Sequence, residues 1–487
     1  GISEKYIEKI SIEDIAIEGL RGLGTIDPDL NIKRSRDSNE QLPIKIMNQN
    51  SNNLIILHYQ GKVIASKNIP PSDNINKWAM LTTEISLAAI KVSPELQSTS
   101  MESIYEAIFD GALSNLDIFS RYSGAKEALR NRNKRDGFGG IGIHFEELNG
   151  YPLIFGVLPG TPAEIAGLKK GDSITHINGR DLKGLKKSEV FSLLHGPINS
   201  QIELTFTRPN IQKKRLVIIQ RAHIFPVSII QTIRNGIVEM TLKSFNQNTA
   251  YSLSKKLEES RKILGKNMKG LILDLRDNPG GLLKQSVKVA DLLLTRGIII
   301  TTQGRHTDSQ HKYEAGGRDL TAGLPVVVLL DGKSASAAEI VAAALQDQNR
   351  AVIIGTSSFG KGSVQTVLRL PNNGEITLTW SRIVTPSGYM FHGLGIRPEI
   401  CTSGLTNYSE NIIQQIIDKR KNILKMLADW RKVKLKDKLE RAQLRNTCPS
   451  ERRRDEVETN IARQLIIHPT LYQNVLELSS DFKEARY

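Results

Sequence analysis

Cysteine is nearly absent from this chain, with only Cys401 and Cys448 among 487 residues. Two thiols cannot complete a structural zinc site by themselves, and their spacing matches no metal-binding motif. In an oxidising compartment they could instead form one disulfide, tying the C-terminal tail to the domain before it. Long apolar runs are also missing. The longest, such as Val326-Val327-Val328-Leu329-Leu330, have the length of a strand, far short of the ~20 residues that span a bilayer. Glycine (38) and proline (18) stay close to average use, which excludes collagen-like, mucin-like and wholly disordered chains. What remains is an ordinary soluble composition, 39% hydrophobic and 24% charged, long enough for two to four domains with their own cores. The chain begins at Gly1 rather than Met, which suggests a processed or truncated N-terminus.

Acidic residues are outnumbered, 51 against 66 Lys and Arg, leaving a net charge of +15. Much of the excess lies in the last eighty or so residues: Lys419-Arg420-Lys421, Arg431-Lys432, Lys434, Lys436, Lys438, Arg441, Arg445 and Arg452-Arg453-Arg454. Such a tail can attract nucleic acid or anionic lipid. Here it carries apolar residues at helical spacing (Ile412, Ile416, Ile423, Leu427) and hardly any aromatic beyond Trp430. The expectation is a solvated helical appendage, with no nucleic-acid partner.

Residues 1–136 read as mostly helical, with stripes at Ile12, Ile15, Leu20, Leu23 and at Ile104, Ile108, Leu113, interrupted by a β-like patch at 54–65. The charged run Arg130–Asp136 looks like a hinge. Residues 137–222 are β-rich with two short helices. From 223 to 404 strands alternate with helical stretches at 248–262, 282–294 and 336–348, which argues for an α/β layer with largely parallel strands. Residues 405–487 read as helical and basic.

Two glycine-rich segments imitate nucleotide sites. Gly137-Phe138-Gly139-Gly140-Ile141-Gly142 matches G-x-G-x-x-G, but a charged helical run precedes it and a strand follows, the reverse of a dinucleotide fold. Gly355–Gly362 nearly spells a P-loop, but Gly362 stands where the Mg²⁺-binding hydroxyl belongs, and a strand follows. Nothing in the sequence calls for a cofactor or a metal.

Lys361, between two glycines at the start of a strand, is a candidate for desolvation, which lowers a lysine pKa and allows it to act as a general base. Alternation along that strand would place Lys361, Ser363 and Gln365 on one face. Upstream, an apolar strand runs through Asp331-Gly332-Lys333-Ser334-Ala335-Ser336 into an Ala-rich helix. A serine there meets free helix N–H groups able to stabilise an oxyanion. Ser336 with Glu339 also reads as a capping box, and composition does not choose between Ser334 and Ser336. Leu273–Leu282, containing Asn278-Pro279-Gly280-Gly281, is another strand–glycine turn–helix edge offering backbone donors.

Taken in order, several motifs resemble the C-terminal-processing (tail-specific) serine peptidases: Leu116-Asp117 through Ser120-Arg121-Tyr122, Phe138–Ile143, Thr161–Leu168, Leu273–Arg276 with Asn278–Gly281, Ser334–Ile340, Phe359–Gln365 and Thr385–Gly388. The resemblance covers roughly residues 100 to 400. It implies a multidomain α/β protein: a crotonase- or ClpP-like protease core at 223–404, an inserted β-rich PDZ domain at 137–222, and helical regions at 1–136 and 405–487. It also implies a serine endopeptidase with Ser336 as nucleophile, Lys361 as general base and Gln365 assisting. The N–H groups of Ala337 and of Gly280 or Gly281 would form the oxyanion hole. Backbone amides of Gly139, Gly140, Ile141 and Gly142 would take a substrate C-terminal carboxylate. Arg276 and Asp347 match recurring family positions without an assigned role. His195-Gly196-Pro197 stands where the family commonly has Arg-Gly-Pro, which puts PDZ gating in doubt. The implied partners are protein or peptide substrates with free C-termini, other copies of the chain and possible adaptors, in the bacterial periplasm or another extracytoplasmic compartment. The competing readings are an idle PDZ adaptor on a protease fold and an acyl-CoA hydratase-like thioester enzyme.

Overall fold

The computed structural model describes residues 1–35, 53–209, 211–407, 412–453 and 456–478. Arg454 and the side chains of Ile412 and Ile416 lie outside the described residues. No helix among them is long and apolar enough to cross a membrane.

A six-stranded sheet organises the core, in the order Ile229–Arg234, Ile237–Leu242, Gly270–Asp274, Val326–Leu330, Val352–Gly355, Ile400–Cys401. Its first two strands form an antiparallel hairpin and the remainder run parallel. The run Val326–Leu330 is buried throughout because both faces are covered. Period-2 alternation sends Val326, Val328 and Leu330 to one cluster, with helices Thr249–Leu264, Leu283–Asp291 and Ala337–Asp347. Val327 and Leu329 go to the opposite cluster, with Leu427, Ile461, Leu465 and Val475 of the C-terminal region.

That second face corrects the expectation of a solvated tail. The tail covers one side of the central sheet, because its apolar stripe finds an uncovered apolar surface there. Trp430 is fully buried and donates from Nε1 to the Gly395 carbonyl. Cys401 and Cys448 form a disulfide. Arg276 and Asp347 bind the tail to the core: Arg276 pairs with Asp274 and Glu458, and Asp347 with Arg431 at 3.0 Å. Some of the tail's basic side chains are ion-paired in this way, Arg431 with Asp347 and Arg453 with Glu458.

A second, antiparallel sheet follows the order His311–Glu314, Ile298–Gln303, Glu375–Val384, Ser363–Arg369, with Arg121–Ser123 beside Glu375–Val384. The run at 130–136 is no hinge but the second half of helix Ala125–Asp136. It is fixed there by Arg132 and Arg135, which pair with the buried carboxylate of Glu375.

Residues after that helix form a separate β-rich unit with its own apolar cluster, including strands Ile143–Leu148, Tyr151–Val157, Ser173–Ile177, Gln201–Arg208 and Ile211–Gln220 and the helix Lys187–Leu194. Its entry and exit pair with each other, Phe138–Gly140 against Ala222–Ile224. The N-terminal region holds a fourth cluster, between helices Ile12–Arg21, Ile75–Val92 and Met101–Leu113 and a three-stranded sheet. One strand of that sheet, Leu30–Arg34, was not legible from sequence, because two inward residues, Leu30 and Ile32, are too few to establish a period.

Candidate active site

Ser336 stands at the N-cap of helix Ala337–Asp347, where the fully buried strand Val326–Leu330 ends and turns. Its backbone lies at φ +54°, ψ −111°. For a residue with a Cβ such a conformation costs on the order of 1–3 kcal/mol and persists only where the surroundings impose it. Here the Ala335 N–H donates to the Asn278 carbonyl and the Ser336 N–H to the Glu339 carboxylate, while the Asp331 carboxylate holds the turn before them, accepting from the N–H groups of Asp277, Lys333, Ser334 and Arg453. Ser334 is buried, and its hydroxyl donates to the Leu275 carbonyl at 2.8 Å. Ser336 is half-buried, so of the two serines it is the one with an approachable hydroxyl.

Glu339, one turn into the helix and fully buried, joins this turn to the Lys361 loop. Its Oε2 accepts from the Ser336 N–H at 2.7 Å and the Lys361 N–H at 2.8 Å, so those two nitrogens are at most about 5.5 Å apart, the two distances laid end to end. Its Oε1 accepts from Gly360 N–H at 2.6 Å and Ser358 Oγ at 2.5 Å. Burial pushes the Glu339 carboxyl pKa up, and these four donors oppose the rise. As a capping-box partner Glu339 was visible in the sequence; its bonds to the lysine loop were not.

Lys361 does not belong to the strand that follows, which begins at Ser363. It sits in the turn before it. This corrects the shared-face expectation, because the alternation cannot start until the turn ends. Its Nζ lies 4.8 Å from the centre of the Phe119 ring, and among the described residues it makes no hydrogen bond to Ser336 Oγ. Burial, then the nearby Arg121 guanidinium, lowers its pKa, while Asp117 and Glu339 pull it back up. Phe119 lies within a motif noted in the sequence, but nothing local marked it as the lysine's neighbour.

Gln365 follows a bulge in the strand and donates from Nε2 to Ser363 Oγ at 2.9 Å and Thr379 Oγ1 at 3.2 Å. Thr379 Oγ1 donates to Asp117 Oδ1, which also accepts from the Phe119 N–H. A hydrogen-bond chain thus runs from Gln365 to the residue beneath the lysine amine. Gln365 also lines a cavity of about 450 Å³ with Leu282, Tyr313 and Trp380.

Gly280 packs so closely that a Cβ there would meet Ser336 Cβ at 2.9 Å and Ala337 N at 3.0 Å. Its own N–H, however, donates to Asn278 Oδ1 at 2.8 Å. The N–H groups of Ala337 and Gly281 donate to no group among the described residues.

The β-rich unit holds a smaller cavity, about 210 Å³, walled by Phe138, Gly140 to Phe145, Phe191 and His195. The Ile141 and Gly142 amides donate to nothing among the described residues. Gly139 does not line this cavity; it faces the Gly196 carbonyl, which leaves no room for a side chain. His195 is clasped between Phe138 and Phe191, with ring centres 4.0 and 3.8 Å away. Burial and then Arg221 lower its pKa to about 4. The buried Arg221, unmarked in the sequence, donates to the Leu193 and Leu194 carbonyls and so caps the helix that ends there.

Comparison with known proteins places the chain in a family. The profile of Peptidase family S41 matches residues 236–402, and a PDZ domain profile matches 154–208. A carboxy-terminal-processing protease of Bartonella bacilliformis is 38% identical over 301 residues, covering 61% of this chain and 69% of that one. The carboxy-terminal processing protease CtpA of Bacillus subtilis is 32% identical, covering 62% of this chain and 65% of its own. Among solved structures, a photosystem II D1 C-terminal processing protease aligns with 67% of this chain and 87% of its own, at 27% identity and a TM-score of 0.37.

Proposed function

This chain belongs to peptidase family S41, as a carboxy-terminal-processing serine protease with a PDZ domain, and we propose that Ser336 and Lys361 form its catalytic pair. The observation that carries this reading is the single Glu339 oxygen bound by both backbone N–H groups, at 2.7 and 2.8 Å. Twenty-five residues apart in sequence, the two side chains start from neighbouring points.

In the proposed reaction, Ser336 Oγ attacks a peptide carbonyl and the neutral Lys361 amine takes its proton. The same proton then goes to the leaving amine, giving an acyl-enzyme that water hydrolyses. The oxyanion would be held by the N–H groups of Ala337 and Gly281, since that of Gly280 is engaged with Asn278. For this transfer the amine, which lies 4.8 Å from the centre of the Phe119 ring, would come within hydrogen-bond reach of the hydroxyl. Gln365 would orient the amine without adding a charge that raises its pKa.

The PDZ domain, covering 137–222, would bind substrate C-termini. The unpaired Ile141 and Gly142 amides would receive the carboxylate, and the apolar cavity the last side chain. The protease core would extend over 223–404, with 1–136 and 405–487 as flanking regions. The disulfide supports work in an extracytoplasmic compartment, since such bonds persist where the surroundings oxidise. Incubation with unfolded casein tests the catalytic assignment: wild type should cleave it and Ser336→Ala should not. Equal cleavage by both proteins removes Ser336 from the role, and no cleavage by either favours an adaptor.

A further inference from the structure

We propose that the cleft between the Met390–Leu394 loop and the helix Lys438–Arg445 binds a small multivalent oxyanion, a condensed phosphate or a di- or tricarboxylate. This goes beyond the peptidase reading and does not depend on it.

The cleft has a volume of about 420 Å³, within the range of small-molecule sites and too confined for a folded partner. Four cations line it, Arg382, Lys438, Arg441 and Arg445, together with His392. No carboxylate does. Among the described residues the only ion pair involving these cations is Arg382 with Glu8, at 4.0 Å and with the glutamate largely exposed. Asp437 precedes the helix and acts on Arg441 from outside the lining.

The cations are held in place, which separates this cleft from a surface lysine patch. Arg441 is only 5% exposed; its Nη2 donates to the Met390 and His392 carbonyls, and its Nη1 has no partner. Arg445 donates from Nη1 to the Leu394 carbonyl at 2.6 Å. Carbonyl partners fix the direction of a guanidinium without neutralising it. Burial accordingly lowers the pKa of both arginines. Asp437 acts on Arg441 and Glu339 on Arg445, but neither lines the cleft or pairs with them there; buried positive charge with no paired counter-charge is costly, and an anion with several negative oxygens offsets more of it than chloride can. Arg382 and Lys438 supply the remaining charge, and among the described residues their side chains make no hydrogen bond to the backbone, so they are available to a ligand.

Isothermal titration of the full chain at constant ionic strength tests the site, with pyrophosphate and citrate as the two probes. At least one should bind wild type saturably at one site per chain, and which one does identifies the anion class. The Arg382→Gln/Lys438→Gln double variant should bind at least about tenfold more weakly while keeping the wild-type melting temperature in the absence of anion. Lys438→Gln alone, an exposed helix position, should show a smaller loss in the same direction if the double variant does not fold. Absence of saturable binding by both probes, or unchanged affinity in the variants, overturns the proposal.

Discussion

The Lys361 amide donates to the Glu339 carboxylate at 2.8 Å, and the same oxygen receives the Ser336 amide. Three of the four donors on this carboxylate are peptide N–H groups, which can only donate. Glu339→Gln should therefore lower stability by about 1–3 kcal/mol, because the new NH₂ group faces donors and leaves a buried group unsatisfied. It should also lower peptidase turnover by loosening the lysine loop. Denaturant unfolding and casein cleavage measure the two effects; wild-type values in both would show that this carboxylate holds nothing together.

Lys361 has a lowered pKa, and only its neutral form accepts a proton. Activity should therefore rise with pH through that lowered pKa, and Lys361→Arg should be inactive because arginine stays charged. Phe119→Leu keeps apolar cover but removes the ring face that favours the ammonium. A cation–π contact is worth ~0.5–1 kcal/mol, or roughly half a pKa unit. The rising limb of the pH–rate profile should shift to lower pH by about that amount. A limb that stays in place would separate Phe119 from the lysine's titration.

Burial, reinforced by neighbouring arginines, lowers the pKa of His195 and of His392 to about 4 in the folded chain. In the unfolded chain they return to about 6.5. Between those values the unfolded state binds more protons, so stability falls as pH drops from about 6.5 towards 4. His392→Gln should lose less melting temperature than wild type between pH 7 and 5. An identical slope for both proteins would mean that His392 titrates normally in the fold.

The Cys401–Cys448 disulfide spans 47 residues. By chain entropy a loop of that length contributes about 4 kcal/mol, less whatever the reduced, unfolded chain keeps of its structure. Paired Cys401→Ser and Cys448→Ser substitutions should lower the melting temperature, as should a reductant acting on wild type. If neither moves it, the packing of Trp430, Leu427 and Ile461 already holds the tail.

The sequence by itself determined what is local. Apolar runs such as Val326–Leu330, the strand–turn–helix edges at 331–337 and 275–283, and Ser336 at a helix start all follow from side-chain periodicity and turn chemistry acting within a few residues. Ordered motifs then pointed to the family. Only the tertiary structure decided the rest: Glu339 reaching the Lys361 loop, Phe119 under its amine, and a basic tail buried against the sheet. Each of these joins groups distant in the chain, or depends on which face an element finds uncovered. Local propensity carries no record of such encounters, because their free energy exists only once the chain has closed on itself.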